Sequence, residues 1–431
     1  MRATFRCAAI AALSIAVLYL PALAASNTIA AGTVITTSNW RQYQDFMPEG
    51  MRALFEGKYF WKFPSDLQIV IGPPTFHPVP KAYRENTEKY SHLVKIVNLP
   101  NGGHSIEGYV AGLPFPNPSA PLKGYKILVD EWYRYVPYLT CCDSVLEYLK
   151  DRYGNGTSLR FVEVYRRLSH ISDDGQPITD PQSQHVDYSE YIMVRQPEQY
   201  KYEQSLTLYY LDPSLPEDDF LFLPEMRRVL RRSSASRCAP AFGTDFVPDD
   251  FRAGFNGGIS RFEAHYLRDA KIVTLTDSDP HQYGNPANYY PLFFPKPVVG
   301  KWTVRDSYVI DVKRISSERS GYCYGRQVMY IDKYSFNILW KDIYDTSMNL
   351  WKIDMIEHIA SDVPGEGVQF ETSNWIQTMW DLKRMHLSCT LTAAPDGTQT
   401  AANAACRNLN GVNYDNVARY STPGGLTEVM R

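Results

Sequence analysis

Three acidic pairs have the residue types and spacing for acid–base chemistry: Asp173-Asp174, Asp218-Asp219 and Asp249-Asp250. Adjacent carboxylates can share a proton or ligate calcium. None of the three continues into the ligand pattern of an EF-hand. Each reads instead as a turn or helix cap, where a carboxylate accepts from backbone N–H groups. The histidines (His77, His92, His104, His170, His185, His265, His281, His358 and His386) are scattered, with no two at ligand spacing on one element. There is no H-E-x-x-H helix, G-x-S-x-G elbow, Walker loop or G-x-G-x-x-G fingerprint. The sequence therefore predicts no catalytic residue, no metal and no cofactor.

The densest positive charge is Arg227, Arg228, Arg231 and Arg232. It is a candidate contact for an anion or for the acidic rim of a partner. The alternative is a solvated strand edge whose arginines form ion pairs. The whole chain has a formal charge of −3, which argues against a nucleic-acid partner.

Beyond Cys7 the cysteines are Cys141, Cys142, Cys238, Cys323, Cys389 and Cys406. An even number outside the cytoplasm predicts disulfides. Cys389 and Cys406 are near in sequence and are the candidate pair. Cys141 and Cys142 would close a strained ring with each other, so each has another partner or stays free.

The amino terminus reads as a secretory signal peptide over residues 1–24. Arg2 and Arg6 precede an apolar run from Ala8 to Leu20, and Ala22-Leu23-Ala24 follows Pro21, placing cleavage near Ala24. The run is short of the ~20 residues that span a bilayer. This predicts a periplasmic protein.

The elements that must position any site are mostly strands. Tyr is abundant, at 31 residues, and charged residues make up only 21%, a composition suited to half-buried strands. Residues 38–57 carry one apolar stripe interrupted by Pro48 and Gly50, so one helix or two short ones fit. Helices are also predicted at 80–90 and 143–152, whereas 93–130 reads as short strands and turns. Strands follow at 161–165, 191–194, 205–211, 220–223, 271–276, 307–313, 327–332 and 337–342, joined by Asp-, Pro-, Gly- and Ser-bearing turns. Such a succession predicts a large antiparallel sheet. Residues 25–390 read as a single domain and 391–431 as a loose polar tail that Cys406 would tie down.

The stretch from Tyr202 to Gly257 is the most distinctive. A strand turns at Asp212-Pro213, a second strand from Phe220 ends at Pro224, and the arginines lead to Gly243-Thr244-Asp245 and Pro248-Asp249-Asp250-Phe251. Further on come Trp302, Arg305-Asp306, Tyr324-Gly325-Arg326, Tyr330-Ile331-Asp332, Trp340, Tyr344-Asp345 and Leu350-Trp351-Lys352; upstream lies Gly112-Leu113-Pro114-Phe115-Pro116. In order and spacing these segments resemble the bacterial family of unknown function 1329, a large branch of the lipoprotein-carrier superfamily of LolA and LolB. The resemblance spans about 38–390, and neither the Cys141-Cys142 pair nor the cysteine-bearing tail maps onto it.

The resemblance implies a mainly β (α+β) fold: a curved antiparallel sheet forming an incomplete β-barrel, with helices over the open side and an apolar cavity. It implies a periplasmic carrier of a lipid or other hydrophobic ligand, accessory to an inner-membrane exporter or an outer-membrane protein. An enzyme acting on a hydrophobic substrate and a non-catalytic envelope interaction module are the alternatives. The candidate cavity residues are Leu206, Leu208 and Tyr210; Tyr308, Ile310 and Val312; Met329 and Ile331 on one face; and Trp340, expected to share a face with Ile338. The competing reading is that these faces are ordinary core.

Overall fold

The computed structural model describes residues 28–173, 175–233, 237–279, 281–363, 367–369, 375–392 and 400–430. The expected leader and its cleavage point lie outside the described residues.

Thirteen strands make up the main sheet. The first six are β1 (Leu139–Lys150), β2 (Gly156–Arg167), β3 (Val186–Gln196), β4 (Gln204–Tyr210), β5 (Asp218–Leu223) and β6 (Arg228–Arg232). The rest are β7 (Phe262–Thr274), β8 (Thr303–Arg314), β9 (Arg326–Asp332), β10 (Ile338–Tyr344), β11 (Leu350–His358), β12 (Trp375–Asp381) and β13 (His386–Leu391). Their order is β6-β5-β4-β3-β2-β1-β13-β12-β11-β10-β9-β8-β7, antiparallel between every neighbouring pair; Ala401–Ala402 adds a short fourteenth strand on β1. β6 and β7 stand at opposite ends of the order without pairing, so the sheet is not closed. They are consecutive in sequence. The chain between them must therefore cross from one edge of the sheet to the other.

Among the described residues the longest α-helices are α1 (Glu49–Phe55), α2 (Lys81–Tyr90) and α3 (Lys123–Tyr133), all short. Residues 38–57 take the two-piece form, a 3₁₀ turn at Trp40–Phe46 followed by α1. Two expectations fail. The segment 143–152 is not a helix but most of β1. Residues on both faces of β1 are buried and a bulge shifts its register between Cys142 and Val145, so the two-residue alternation of a strand is lost. Conversely, α3 lies where turns and short strands were expected. Tyr125 and every residue from Ile127 to Tyr133 are buried, Asp130 and Glu131 among them, so the carboxylates that interrupt its apolar run do not mark a solvent-facing turn.

The sheet is covered on both faces. Its inner face packs on α3 and on the crossing segment, with Ile310, Val312, Met329 and Ile331 in one cluster with Tyr125, Ile127, Phe246 and Phe255. On the outer face of β8–β13 lie α1 and its flanks, where Trp40, Met51 and Leu54 join Val309, Trp340 and Trp380. The approach is close: Gly50 N–H donates to Asp342 Oδ1 at 3.0 Å, and a Cβ on Gly50 would sit 2.3 Å from that oxygen.

The outer face of β1–β5 is covered by the carboxyl-terminal segment. Cys406, Tyr414, Val417 and Leu426 pack on Val164, Tyr191, Leu206 and Leu208. Over its described residues the tail is thus folded rather than loose; its apolar anchors are spread thinly through polar sequence, which hid them. It is bonded through Cys141–Cys406, and a second disulfide joins Cys238 to Cys323. The expected Cys389–Cys406 pair is wrong: Cys389 is a buried free thiol on β13, as Cys142 is on β1. Proximity in sequence misled, because the sheet brings residue 141 to residue 406 across a separation of 265 residues.

Candidate ligand-binding site

The crossing segment determines what the inner face can hold. Between Arg237 and Ser260 it meets one strand after another. The Asp245 N–H donates to Ser388 Oγ on β13 at 2.8 Å. Asp249 accepts from Arg314 on β8 at 2.8 Å and from Arg237 at 2.6 Å. Asp250 accepts from Lys341 on β10 at 2.7 Å and from the Tyr324 hydroxyl at 2.6 Å; its carbonyl accepts from Gln377 on β12 at 3.0 Å. Asn256 donates to Glu190 on β3, and the Asn256 carbonyl accepts from Tyr209 on β4. These anchors hold two successive left-handed residues, Arg252 (φ 58°) and Ala253 (φ 55°), a conformation costing about 1 kcal/mol or more per residue.

The inner face therefore carries a buried ionic network within its apolar packing. Lys341, Asp250 and Asp354 have fully buried side chains. Burial opposes the charge on Lys341, but Asp250 and then Asp354 hold its pKa above the ordinary lysine value. Burial pushes Asp354 up to about 7, and Glu147 and Glu163 up to about 8, each helped by neighbouring carboxylates. The voids beside Arg134 and Tyr188, and beside Trp132 and Tyr209, are each about 20 Å³, room for one water and not for an acyl chain.

The residues chosen from the sequence do not meet in one site. Leu206, Leu208 and Tyr210 lie on the outer face beneath the tail. Ile310, Val312, Met329 and Ile331 lie on the inner face, fully buried, with Tyr308 packed at its edge. Trp340 is outer-face core. It does not share a face with Ile338, because Tyr330 pairs with Trp340 while Ile331 pairs with Ile338, which leaves Leu339 as the extra residue of a bulge. Arg231 and Arg232 on edge strand β6 form ion pairs with Asp218 and Asp219 across the β5–β6 hairpin; Arg227 and Arg228 are exposed. Asp249 and Asp250 serve the crossing segment. Asp173 accepts from the Tyr138 N–H and from Asn403; Asp174 lies outside the described residues. Among the described residues no three His, Cys, Asp or Glu side chains gather as a metal site.

A volume of ligand size lies elsewhere. A groove of about 850 Å³ opens between the end of the β1–β2 hairpin and the loop at 286–296. Its floor is aromatic: Phe293 lies 5.4 Å from Tyr148 and 5.4 Å from Tyr289, centroid to centroid. The loop is fixed from below, where Trp380 Nε1 donates to the Leu292 carbonyl at 2.9 Å and the Tyr290 hydroxyl donates to the Asp66 carbonyl at 3.1 Å. Thr157 and Pro291 are exposed, so the groove reaches solvent. Lys150 and Lys296 stand at its sides. The sequence reading missed this site. Its signal was the run Tyr289-Tyr290-Pro291-Leu292-Phe293-Phe294, aromatic residues concentrated outside any strand.

A second hollow of about 260 Å³ shares Leu149, Lys150, Gly156 and Thr157 with the groove and is bordered by Asp245 and His386. Asp245 accepts from Ser388 Oγ at 2.9 Å and lies 3.7 Å from His386 Nδ1. Ser388 is buried, and its hydroxyl both donates to the Asp245 carboxylate and accepts from the Asp245 N–H, so it is committed to anchoring the crossing segment.

Residues 34–413 match the family model described as "Protein of unknown function (DUF1329)". The chain belongs to this family. The segments that carried the resemblance now have physical roles in the DUF1329 fold. The Gly243-Thr244-Asp245 turn fastens the crossing segment to β13. Arg305 makes a two-pronged pair with Asp332 at 3.0 and 2.7 Å. Gly325 is where a Cβ would meet the Asp345 carbonyl oxygen at 2.2 Å.

Several solved structures are similar in part. One is a Vibrio parahaemolyticus domain provisionally described as an outer membrane lipoprotein-sorting protein: 13% identity, 65% of this chain and 93% of that one, TM-score 0.45. Another is a DUF1329 protein from Desulfovibrio piger: 12% identity, 68% and 98%, TM-score 0.44. A third is a LolA superfamily protein from Nitrosomonas europaea: 14% identity, 63% and 90%, TM-score 0.36. Among curated proteins none matches the chain. No helix among the described residues is long and apolar enough to cross a membrane.

Proposed function

We propose that this DUF1329 protein is a non-catalytic periplasmic carrier of a lipid or other hydrophobic molecule, accessory to envelope transport. The observation that carries the reading is the aromatic groove at Tyr148, Tyr289 and Phe293, whose volume of about 850 Å³ falls within the usual range for a small-molecule site. Removing an acyl chain from water stabilises the bound state by about 0.8 kcal/mol per CH₂. A carrier must also release its cargo, and a groove that reaches solvent over an aromatic floor permits both. The voids on the inner face beside Arg134 and beside Trp132, about 20 Å³ each, supply no such space. The exposed Arg227 and Arg228 on the open edge of the sheet are candidates to meet an acidic rim on an exporter or an outer-membrane protein.

Organic extraction and mass spectrometry of the mature protein, purified gently from a native periplasm, tests the reading. A stoichiometric apolar compound supports it. Repeated absence of one, together with no uptake of an apolar fluorescent probe by the purified protein, overturns it in favour of the interaction-module reading.

A further inference from the structure

Lys150 and Lys296 give the groove a polarity that the carrier reading alone does not require. Both line it, and no Asp or Glu does. Lys150 Nζ donates to the Pro291 carbonyl at 3.5 Å and lies 5.1 Å over the Trp61 ring. Lys296 Nζ donates to the Ala287 carbonyl at 2.9 Å and lies 5.8 Å from the Tyr290 ring. Neither ammonium is within ion-pair distance of a carboxylate among the described residues, whereas most of the lysines and arginines on the inner face are paired. Two ammonium groups held by neutral carbonyls and ring faces keep their charge available to a ligand. Beside an apolar floor they attract an anion more strongly than they would in open water.

We propose that the groove selects single-chain amphiphiles with an anionic head, carboxylate or phosphate, the chain lying on the floor of Tyr148, Tyr289 and Phe293 and the head held between Lys150 and Lys296. Lysine suits this role as a mobile point charge, which engages a head group without the fixed two-pronged geometry of arginine. Lys150 also borders the second hollow, whose Asp151 and Asp245 carboxylates repel an anion, so the head is directed away from that hollow and towards Lys296. The inference rests on the carrier reading.

The test uses the full mature chain and calorimetric titration with dodecanoate, dodecyl phosphate, dodecanol and inorganic phosphate, at low and high salt. The expected result is binding of both anionic amphiphiles about tenfold tighter than dodecanol, a difference of about 1.4 kcal/mol, shrinking at high salt. Lys150→Gln combined with Lys296→Gln should abolish that preference while dodecanol still binds and the melt stays cooperative; Lys301→Gln, on an exposed residue that does not line the groove, should leave every affinity unchanged. Equal affinity for dodecanol and the anionic amphiphiles, or a preference that survives the double substitution, overturns the inference while leaving the carrier reading standing. Inorganic phosphate binding as tightly as dodecyl phosphate also overturns it, since the site would then be one for the ion. If neither dodecanol nor dodecanoate binds, the carrier reading falls with it.

Discussion

Lys341 Nζ donates to Asp250 Oδ1 at 2.7 Å with both side chains fully buried, and so fastens the crossing segment to the middle strands of the sheet. Breaking one member of a buried pair leaves the other charge uncompensated, at a cost of about 3–5 kcal/mol. Lys341→Met and Asp250→Asn should each show a large loss of stability in urea unfolding. The double substitution should cost clearly less than the two summed. Additive costs would mean that the two residues act independently.

The buried carboxyls predict how stability varies with pH. Burial raises Glu147, Glu163 and Glu357 to about 8 and Glu190 and Asp354 to about 7. Each holds its proton more tightly folded than unfolded, where carboxyls titrate near ~4.3. Their stabilisation is complete below the unfolded value and is lost as pH rises through 7 and 8. Burial lowers His358 to about 4, so it is neutral across that upper range. Melting temperature should therefore fall between pH 6.5 and pH 9, and Glu163→Gln should fall less than wild type. A melting temperature that rises over this range contradicts the account.

The disulfides make a prediction that does not depend on function. Peptide mapping of the oxidised protein should recover Cys141 linked to Cys406 and Cys238 linked to Cys323, with Cys142 and Cys389 as free thiols. Cys406→Ser should cost about 2–4 kcal/mol and loosen the tail to proteolysis, whereas Cys389→Ser should leave both links intact. A Cys389–Cys406 peptide would refute this connectivity.

The sequence made the antiparallel sheet legible because most of its strands alternate and are separated by turn residues. It misread β1 because burial on both faces and the bulge after Cys142 remove the alternation of a strand, and α3 because the buried Asp130 and Glu131 read as turn residues. The arginine cluster was visible, but its Asp218 and Asp219 partners became apparent only with the β5–β6 hairpin formed. The cavity candidates were correct as apolar positions and uninformative as a site. Alternation along one strand does not say which face is covered, and the bulge at Leu339 reverses it between Ile338 and Trp340. The groove draws on residues near 150 and near 290, and no local pattern joins them.

Core and groove should respond differently to substitution. Ile310→Glu and Leu208→Arg bury a charge without a partner in packed clusters and should unfold the protein, seen as loss of the cooperative melt. Thr157→Trp places bulk on an exposed strand position at the groove wall. It should leave melting temperature within about 2 °C of wild type, as surface substitutions shift stability little, and weaken an apolar probe by about tenfold or more, corresponding to at least about 1.4 kcal/mol. Unchanged probe affinity in a folded Thr157→Trp protein would move the ligand elsewhere.

The central claim is that a hydrophobic ligand occupies the groove rather than the inner face. Photo-crosslinking the mature chain with a diazirine-bearing fatty acid, followed by peptide mass spectrometry, tests it most directly. The account predicts adducts on Tyr148, Thr157, Tyr290 or Phe293, competed away by unlabelled fatty acid. Competed adducts on α3, the crossing segment or Ile310 would contradict it and show that the inner face opens to receive the ligand.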